Sequence, residues 1–289
     1  MRFLLVGTVR DSFMNVEREY RHISGILNSL GNVRTFLVES DSIDGTVKVL
    51  EEMSRKYNDF NFLSLGKVDG QIPNRYERIA FCREKYLDYF KENSIDYDFV
   101  VVADFDGMNH DLTLSKVETS LSQMNDWDAL FANQGDRYYD IGALRHEFWS
   151  PNNCFETYEW AVRNMNVSDA RDLSINSRMI RINPAAPIIE VESAYGGFGV
   201  YKALAFAEGT YIGRDSRNEP LLDFVCFNSM LSGKGFRLGI DPQLINAKFN
   251  YHNIGTKKWV RLVRRIGTRI VSPRLKGILK YFFAKVAFR

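Results

Sequence analysis

Two carboxylates stand two positions apart at the end of an apolar run. In FVVVADFDGMN (residues 99–109), four apolar residues and an Ala lead straight into Asp104, Phe105 and Asp106. If the strand continues, alternation places both carboxylates on one side. Paired carboxylates repel each other, and a divalent cation relieves that repulsion. A hard cation held in this way can carry a diphosphate and neutralise it as a leaving group. Taken alone, the pair also fits a solvated turn. A second acidic run, LVESDSIDGT (37–46), sets Glu39, Asp41 and Asp44 after an earlier apolar stretch. Ser42, Asp44 or Thr46 can cap a following helix. Capping leaves the polar residues ahead of Asp44 unexplained, and those suit hydrogen bonds to a ribose or a base.

The elements that would position these groups follow from periodicity. RFLLVG (2–7), VRTFLV (33–38), FNFLSL (60–65) and DFVVVA (98–103) read as buried strands. They alternate with helical patterns over 16–30, 45–57 and 75–93, the last placing Ile79, Cys82, Tyr86, Leu87 and Phe90 on one face. Such alternation predicts an α/β fold, a mostly parallel central sheet with helices on both faces. Ligands bind outside the carboxyl ends of such strands, where both acidic runs fall. The second half is less regular. DALFAN (128–133) and PIIEVES (187–193) read as strands, 154–165 and 221–233 as helices, RLGI (237–240) as a short strand, and 166–186 as a long polar loop.

The chain of 289 residues, 45% hydrophobic and 26% charged, is long enough for one large α/β domain or two smaller ones. Net charge is only +2, yet no Asp or Glu follows Asp241, while residues 242–289 hold 12 Lys and Arg. The body is therefore acidic and the tail basic. Three widely spaced cysteines, Cys82, Cys154 and Cys226, form neither a disulfide framework nor a zinc spacing, which suits a reducing compartment. No leader peptide and no spanning run of 18 apolar residues is visible.

The order of motifs is similar to a known family. ESDSIDGT after the second strand, Arg78 or Arg83 inside RIAFCREKYLDYF, an apolar strand ending in DxD, VESAYGGFGVYK (191–202) and DFVCFNSMLSGKGFRLGIDPQLIN (223–246) together resemble nucleotide-sugar glycosyltransferases of the Rossmann-like GT-A fold. In detail they resemble the fungal capsule-associated mannosyltransferases and their bacterial relatives. The resemblance covers roughly residues 3–250. It implies a catalytic domain over 1–256, a UDP- or GDP-linked sugar donor, a glycan or lipid-linked acceptor, and a divalent cation, Mn²⁺ or Mg²⁺. Gly7, Glu39, Asp41, Arg78, Arg83 and Asp104 would face the donor. Asp104 and Asp106 would hold the metal. Ser193, Tyr195, Gly196 and Gly197 would line the acceptor side, although a glycine turn can also be purely steric. Arg83 equally fits a structural ion pair. Relatives carry a Glu-His pair where this chain has Asp223-Phe224, so Asp223 keeps the acid of a general base and the His is lost. His252 could replace it as a metal ligand or could be structural, and Glu192 is the competing base.

Three other readings compete. DFDGM with GDRYYD (135–140) resembles the haloacid-dehalogenase phosphatases, with Asp104 as nucleophile, but the motifs lie too close together for intervening βαβ units. A sugar nucleotidylyltransferase would need a glycine-rich phosphate loop that VGTVRDS does not supply. A non-catalytic membrane-surface module would explain the tail but not two acidic strand ends. The tail itself (257–289) has amphipathic helical patterns on each side of Pro273, basic on one face and apolar or aromatic on the other. It suits an anionic membrane surface or packing on the acidic body. No nucleic-acid motif accompanies the charge. The expected location is cytoplasmic, peripheral at the inner face of the membrane.

Overall fold

A computed structural model describes residues 1–248. The expected tail helices and His252 lie outside the described residues. The first half alternates as expected: β1 (Arg2–Val9), α1 (Val16–Asn28), β2 (Asn32–Glu39), α2 (Thr46–Lys56), β3 (Phe60–Ser64), α3 (Arg75–Glu92) and β4 (Phe99–Ala103). Then come α4 (Leu114–Ser122), β5 (Ala129–Gln134), α5 (Cys154–Asn164), α6 (Val167–Ser174), β6 (Ile189–Glu190), β7 (Phe198–Lys202), α7 (Ala203–Ala207), α8 (Asp223–Gly233) and β8 (Leu238–Ala247).

The strands form one sheet in the order β3-β2-β1-β4-β7-β5-β8-β6. β1, β2, β3 and β4 pair in parallel, as do β5 and β8, whereas β7 and β6 run antiparallel to their neighbours. This is the expected mostly parallel sheet with helices on both faces. Strand alternation divides the core. Leu4, Val6, Val100 and Val102 join Tyr86 and Phe90 of α3 and Phe227 of α8 on one face. Phe3, Leu5 and Val101 join Tyr20, Leu27 and Leu50 of α1 and α2 on the other. With both faces covered, β1 reads as a continuous apolar run.

The antiparallel β7 decides the site's layout. It enters the sheet beside the exit of β4, pairing Phe198 with Ala103. The turn that precedes it, Tyr195–Gly197, therefore meets the residues that follow β4. A parallel strand there would have placed that turn at the far edge of the sheet.

Several expectations in the second half are corrected. The polar stretch 166–186 contains α6 and a short 3-10 turn, Asn176–Arg178. The Asn166 side chain caps α6 by accepting from the Asp169 amide at 3.0 Å, and the helix packs on α5. Only Ala170 and Ser174 of α6 are buried, so its apolar period is too faint to read. The strand expected over 187–193 shrinks to two residues, because the chain leaves the sheet toward the site. β8 is longer than RLGI. It continues past Pro242, where β5 shifts register at Ala132–Asn133 and Asn133 Nδ2 donates to the Pro242 carbonyl at 3.0 Å.

Gly7 belongs to this packing. A Cβ there would overlap the Ala103 carbonyl oxygen and come within 2.6 Å of the Phe105 ring. Gly7→Ala is expected to lower stability by about 1–3 kcal/mol, read as a lower urea midpoint at unchanged slope.

Candidate active site

The site grows from the end of β4. Asp104 donates its amide to the Gly197 carbonyl at 3.0 Å, and its own carbonyl accepts from Asn109 Nδ2 at 2.7 Å. Phe105 is buried as a plug, and its carbonyl accepts from Ser12 Oγ. The Asp106 carbonyl accepts from Asn15 Nδ2 at 3.1 Å, and the Asn109 amide donates to Glu19 Oε2 at 3.0 Å. Gly107 takes the tight turn with φ of 100°. The loop is thus held by its backbone, which leaves both carboxylates facing the cavity. Burial, and then the charge of Asp106, raises Asp104 to about 7; burial raises Asp106 too. Two oxygen-donor carboxylates that are disfavoured as anions suit a hard cation, which removes the penalty. Among the described residues, no group of three or more His, Cys, Asp or Glu side chains is arranged to hold a metal ion. A cation at the pair would complete its shell with water or substrate oxygens.

The facing wall holds a buried ion pair. Arg83 projects from α3, and its Nε lies 2.6 Å from Asp223 Oδ2 at the start of α8. The two atoms meet as charges without hydrogen-bond alignment. Arg83 Nη1 donates to the Tyr86 hydroxyl at 2.9 Å, and Nη2 comes 4.0 Å from Asp104 Oδ1. Its guanidinium lies 4.0 Å from the centre of the Phe224 ring, which stacks on Tyr195 at 3.7 Å. The Tyr195 hydroxyl donates to Asp104 Oδ1 at 3.1 Å. One chain of contacts therefore links Asp104, Tyr195, Phe224, Arg83 and Asp223. Burial raises Asp223 despite the opposing charge of Arg83. Phe224 offers an aromatic face and no ligand atom.

The second acidic strand end works differently. Glu39 is 1% exposed; its Oε1 accepts the Ser42 amide at 3.0 Å and its Oε2 accepts the Ser64 hydroxyl. Asp41 takes φ of 61°, and its Oδ1 accepts the Val68 and Asp69 amides at 2.7 and 2.9 Å. Its Oδ2 lies 3.3 Å from Arg78 Nε. Burial opposes the Asp41 charge, but the two amides and Arg78 outweigh it and hold Asp41 below the usual carboxylate range. Asp44 Oδ1 accepts the Thr46 amide at 3.1 Å, but the cap position of α2 is Gly45, so the side-chain cap expected from Ser42, Asp44 or Thr46 does not form. Glu39 and Asp41 thus fix loops, and Asp41 anchors Arg78. Ser40 and Arg78 line the cavity; Glu39 and Asp41 do not.

The cavity, about 530 Å³, brings together Arg78, Arg83, Asp104, Asp106, Tyr195 and Asp223. It leaves out Gly7, Glu192, Ser193, Gly196 and Gly197. Glu192 is exposed and accepts from Ser229 Oγ at 2.6 Å, and the buried Ser193 hydroxyl donates to the Ala143 carbonyl at 2.7 Å. Gly197 nonetheless abuts the pair, since a Cβ on it would lie 3.4 Å from Asp104 Oδ2. Asp140, missed as a member of this site, also lines the cavity. Its Oδ2 accepts the Gly196 amide at 3.0 Å, and burial raises it. The only signal for it was GDRYYD, read above as a phosphatase motif.

No protein-family model matches this chain, and no curated protein matches it. Solved structures with similar folds include the mannosyltransferase PcManGT from Pyrobaculum calidifontis in complex with GDP-Man and Mn²⁺. It is 11% identical, with 86% of this chain and 56% of that chain covered and a TM-score of 0.49. Glucosyl-3-phosphoglycerate synthase from Mycobacterium tuberculosis, with Mn²⁺, UDP and glucosyl-3-phosphoglycerate, is 11% identical over 86% and 69%, at 0.42. S. aureus TarS 1-349 is 13% identical over 83% and 58%, at 0.38. The chain spans less than two-thirds of the first and third of these structures. No helix among the described residues is long and apolar enough to cross a membrane.

Proposed function

We propose that this chain is a GT-A glycosyltransferase that uses a divalent cation to move a sugar from a nucleoside diphosphate donor to an acceptor hydroxyl. One observation carries the reading. A carboxylate pair at the carboxyl end of a parallel strand faces, across a single cavity, a buried acid held by an arginine. Asp104 and Asp106 would hold the cation, which when bound neutralises the charge of the departing diphosphate. Arg78, anchored by Asp41, and the Thr8–Arg10 end of β1 lie on the same cavity and suit the phosphate and nucleoside. Asp223 lines the cavity and Glu192 does not, so Asp223 is the base that takes the proton of the acceptor hydroxyl. Arg83 holds Asp223 in place and ties its position to that of Asp104. The acceptor is a growing glycan or lipid-linked glycan of a surface polysaccharide, met at the inner membrane face through the basic tail. The phosphatase reading is weaker, because no Lys occurs among the described lining residues and Asp104 Oδ1 already accepts from Tyr195.

Thermal unfolding with UDP, GDP and their sugar conjugates, with and without Mn²⁺, tests the reading. One nucleoside diphosphate is expected to stabilise the fold only with the cation, by about 2.7 kcal/mol at a hundredfold excess over Kd. Indifference to every nucleotide, together with hydrolysis of p-nitrophenyl phosphate, would sink it.

A further inference from the structure

Five arginines line the cavity: Arg10, Arg75, Arg78, Arg83 and Arg171. Three have anionic partners. Arg10 Nε lies 3.6 Å from Asp11, Arg78 is held by Asp41, and Arg83 by Asp223. The side chains of Arg75 and Arg171 make no hydrogen bond or ion pair among the described residues, and both residues are exposed. They come from separate elements, Arg75 from the first position of α3 and Arg171 from α6. α6 packs on α5, whose Phe155 lies near Tyr76 of α3 with ring centres 6.3 Å apart. The charge of Arg75 reaches Asp223, the base of the proposed transfer. The carboxylate pair and the β1 end suit the donor, and Arg75 and Arg171 share the rest of the cavity wall with Asp223.

Resting on the glycosyltransferase reading, we infer that the acceptor carries an anionic group, a carboxylate or a phosphate, bound by Arg75 and Arg171. Guanidinium matches either group with two parallel hydrogen bonds. Two arginines lining one cavity from separate elements would fix both the position and the orientation of an anion. A neutral sugar would leave them without a complement. The attacking hydroxyl is thereby set against Asp223 by a charge on the same molecule.

The test uses the full chain saturated with Mn²⁺ and the nucleoside diphosphate that stabilises it, so that the donor side is filled. Methyl glucoside, methyl glucuronide and glucose 6-phosphate are titrated as acceptor probes. At least one anionic probe is expected to bind at least tenfold more tightly than the neutral glucoside. Preference for glucuronide or for the phosphate identifies the anion. Arg75→Gln and Arg171→Gln are each expected to reduce that advantage several-fold while holding the nucleotide Kd within twofold. Equal binding of neutral and anionic probes, or no binding by either anionic probe, would overturn the inference and leave the transferase reading intact. So would a large loss of nucleotide affinity in either variant, which would assign the arginines to the donor. Failure of any nucleotide to bind removes the transferase reading and this inference with it.

Discussion

Asp106→Ala is expected to abolish cation-dependent stabilisation by nucleotide and to lower turnover by at least about a thousandfold, equivalent to about 4 kcal/mol of transition-state stabilisation. The Asp106 carboxylate opens onto the cavity, and no hydrogen bond from another described residue holds it; its backbone carbonyl is engaged by Asn15. The substitution therefore removes a charge and leaves the loop its anchors. It also removes a charge that disfavours ionisation of Asp104. Stability without ligands is accordingly expected to stay level or rise while binding is lost. That opposite movement separates a lost cation site from a damaged fold. Calorimetric titration of Mn²⁺ plus nucleotide, beside thermal unfolding of the free protein, measures both. Wild-type cation response in the variant would remove Asp106 from the site.

Asp223→Asn is expected to lower kcat and kcat/KM together by about 10²–10⁴-fold, the range for a lost general base. Nucleotide affinity is expected to remain within twofold. The confounding effect is structural, because Asp223 is 2% exposed and paired with Arg83. Deleting one partner of a buried pair costs about 3–5 kcal/mol. Asn keeps the volume and an acceptor oxygen for Arg83, which reduces that cost. Urea unfolding of the variant reports what remains of it. A variant with wild-type kcat would move the base to Asp140, a half-buried carboxylate that also lines the cavity.

How far the chain could be read without its fold differs by element. β1 to β4 and their helices were legible because each buries a strong local pattern, and β4 ended at its two carboxylates as expected. α4, β7 and α7 show no period that marks them in the sequence, and α6 reads as loop. α6 buries only two of its residues, and β7 sits inside a stretch whose glycines, Gly196 and Gly197, at φ of 72° and 87°, suggested a turn and not a strand entry. The acidic run after β2 was visible, but its work was not. One backbone amide and one hydroxyl already occupy Glu39, and Asp41 holds a loop and Arg78.

Local sequence settled that an apolar strand ends in paired acids, because periodicity and residue type act over neighbouring positions. It also placed that end at the carboxyl edge of a mostly parallel sheet. Tertiary structure alone decided what faces that pair. Tyr195 reaches Asp104 because β7 runs antiparallel, and Arg83 meets Asp223 because α3 and α8 pack on the same face of the sheet. Those contacts join residues far apart in the chain, where strand order and helix packing set distance and no local pattern records it.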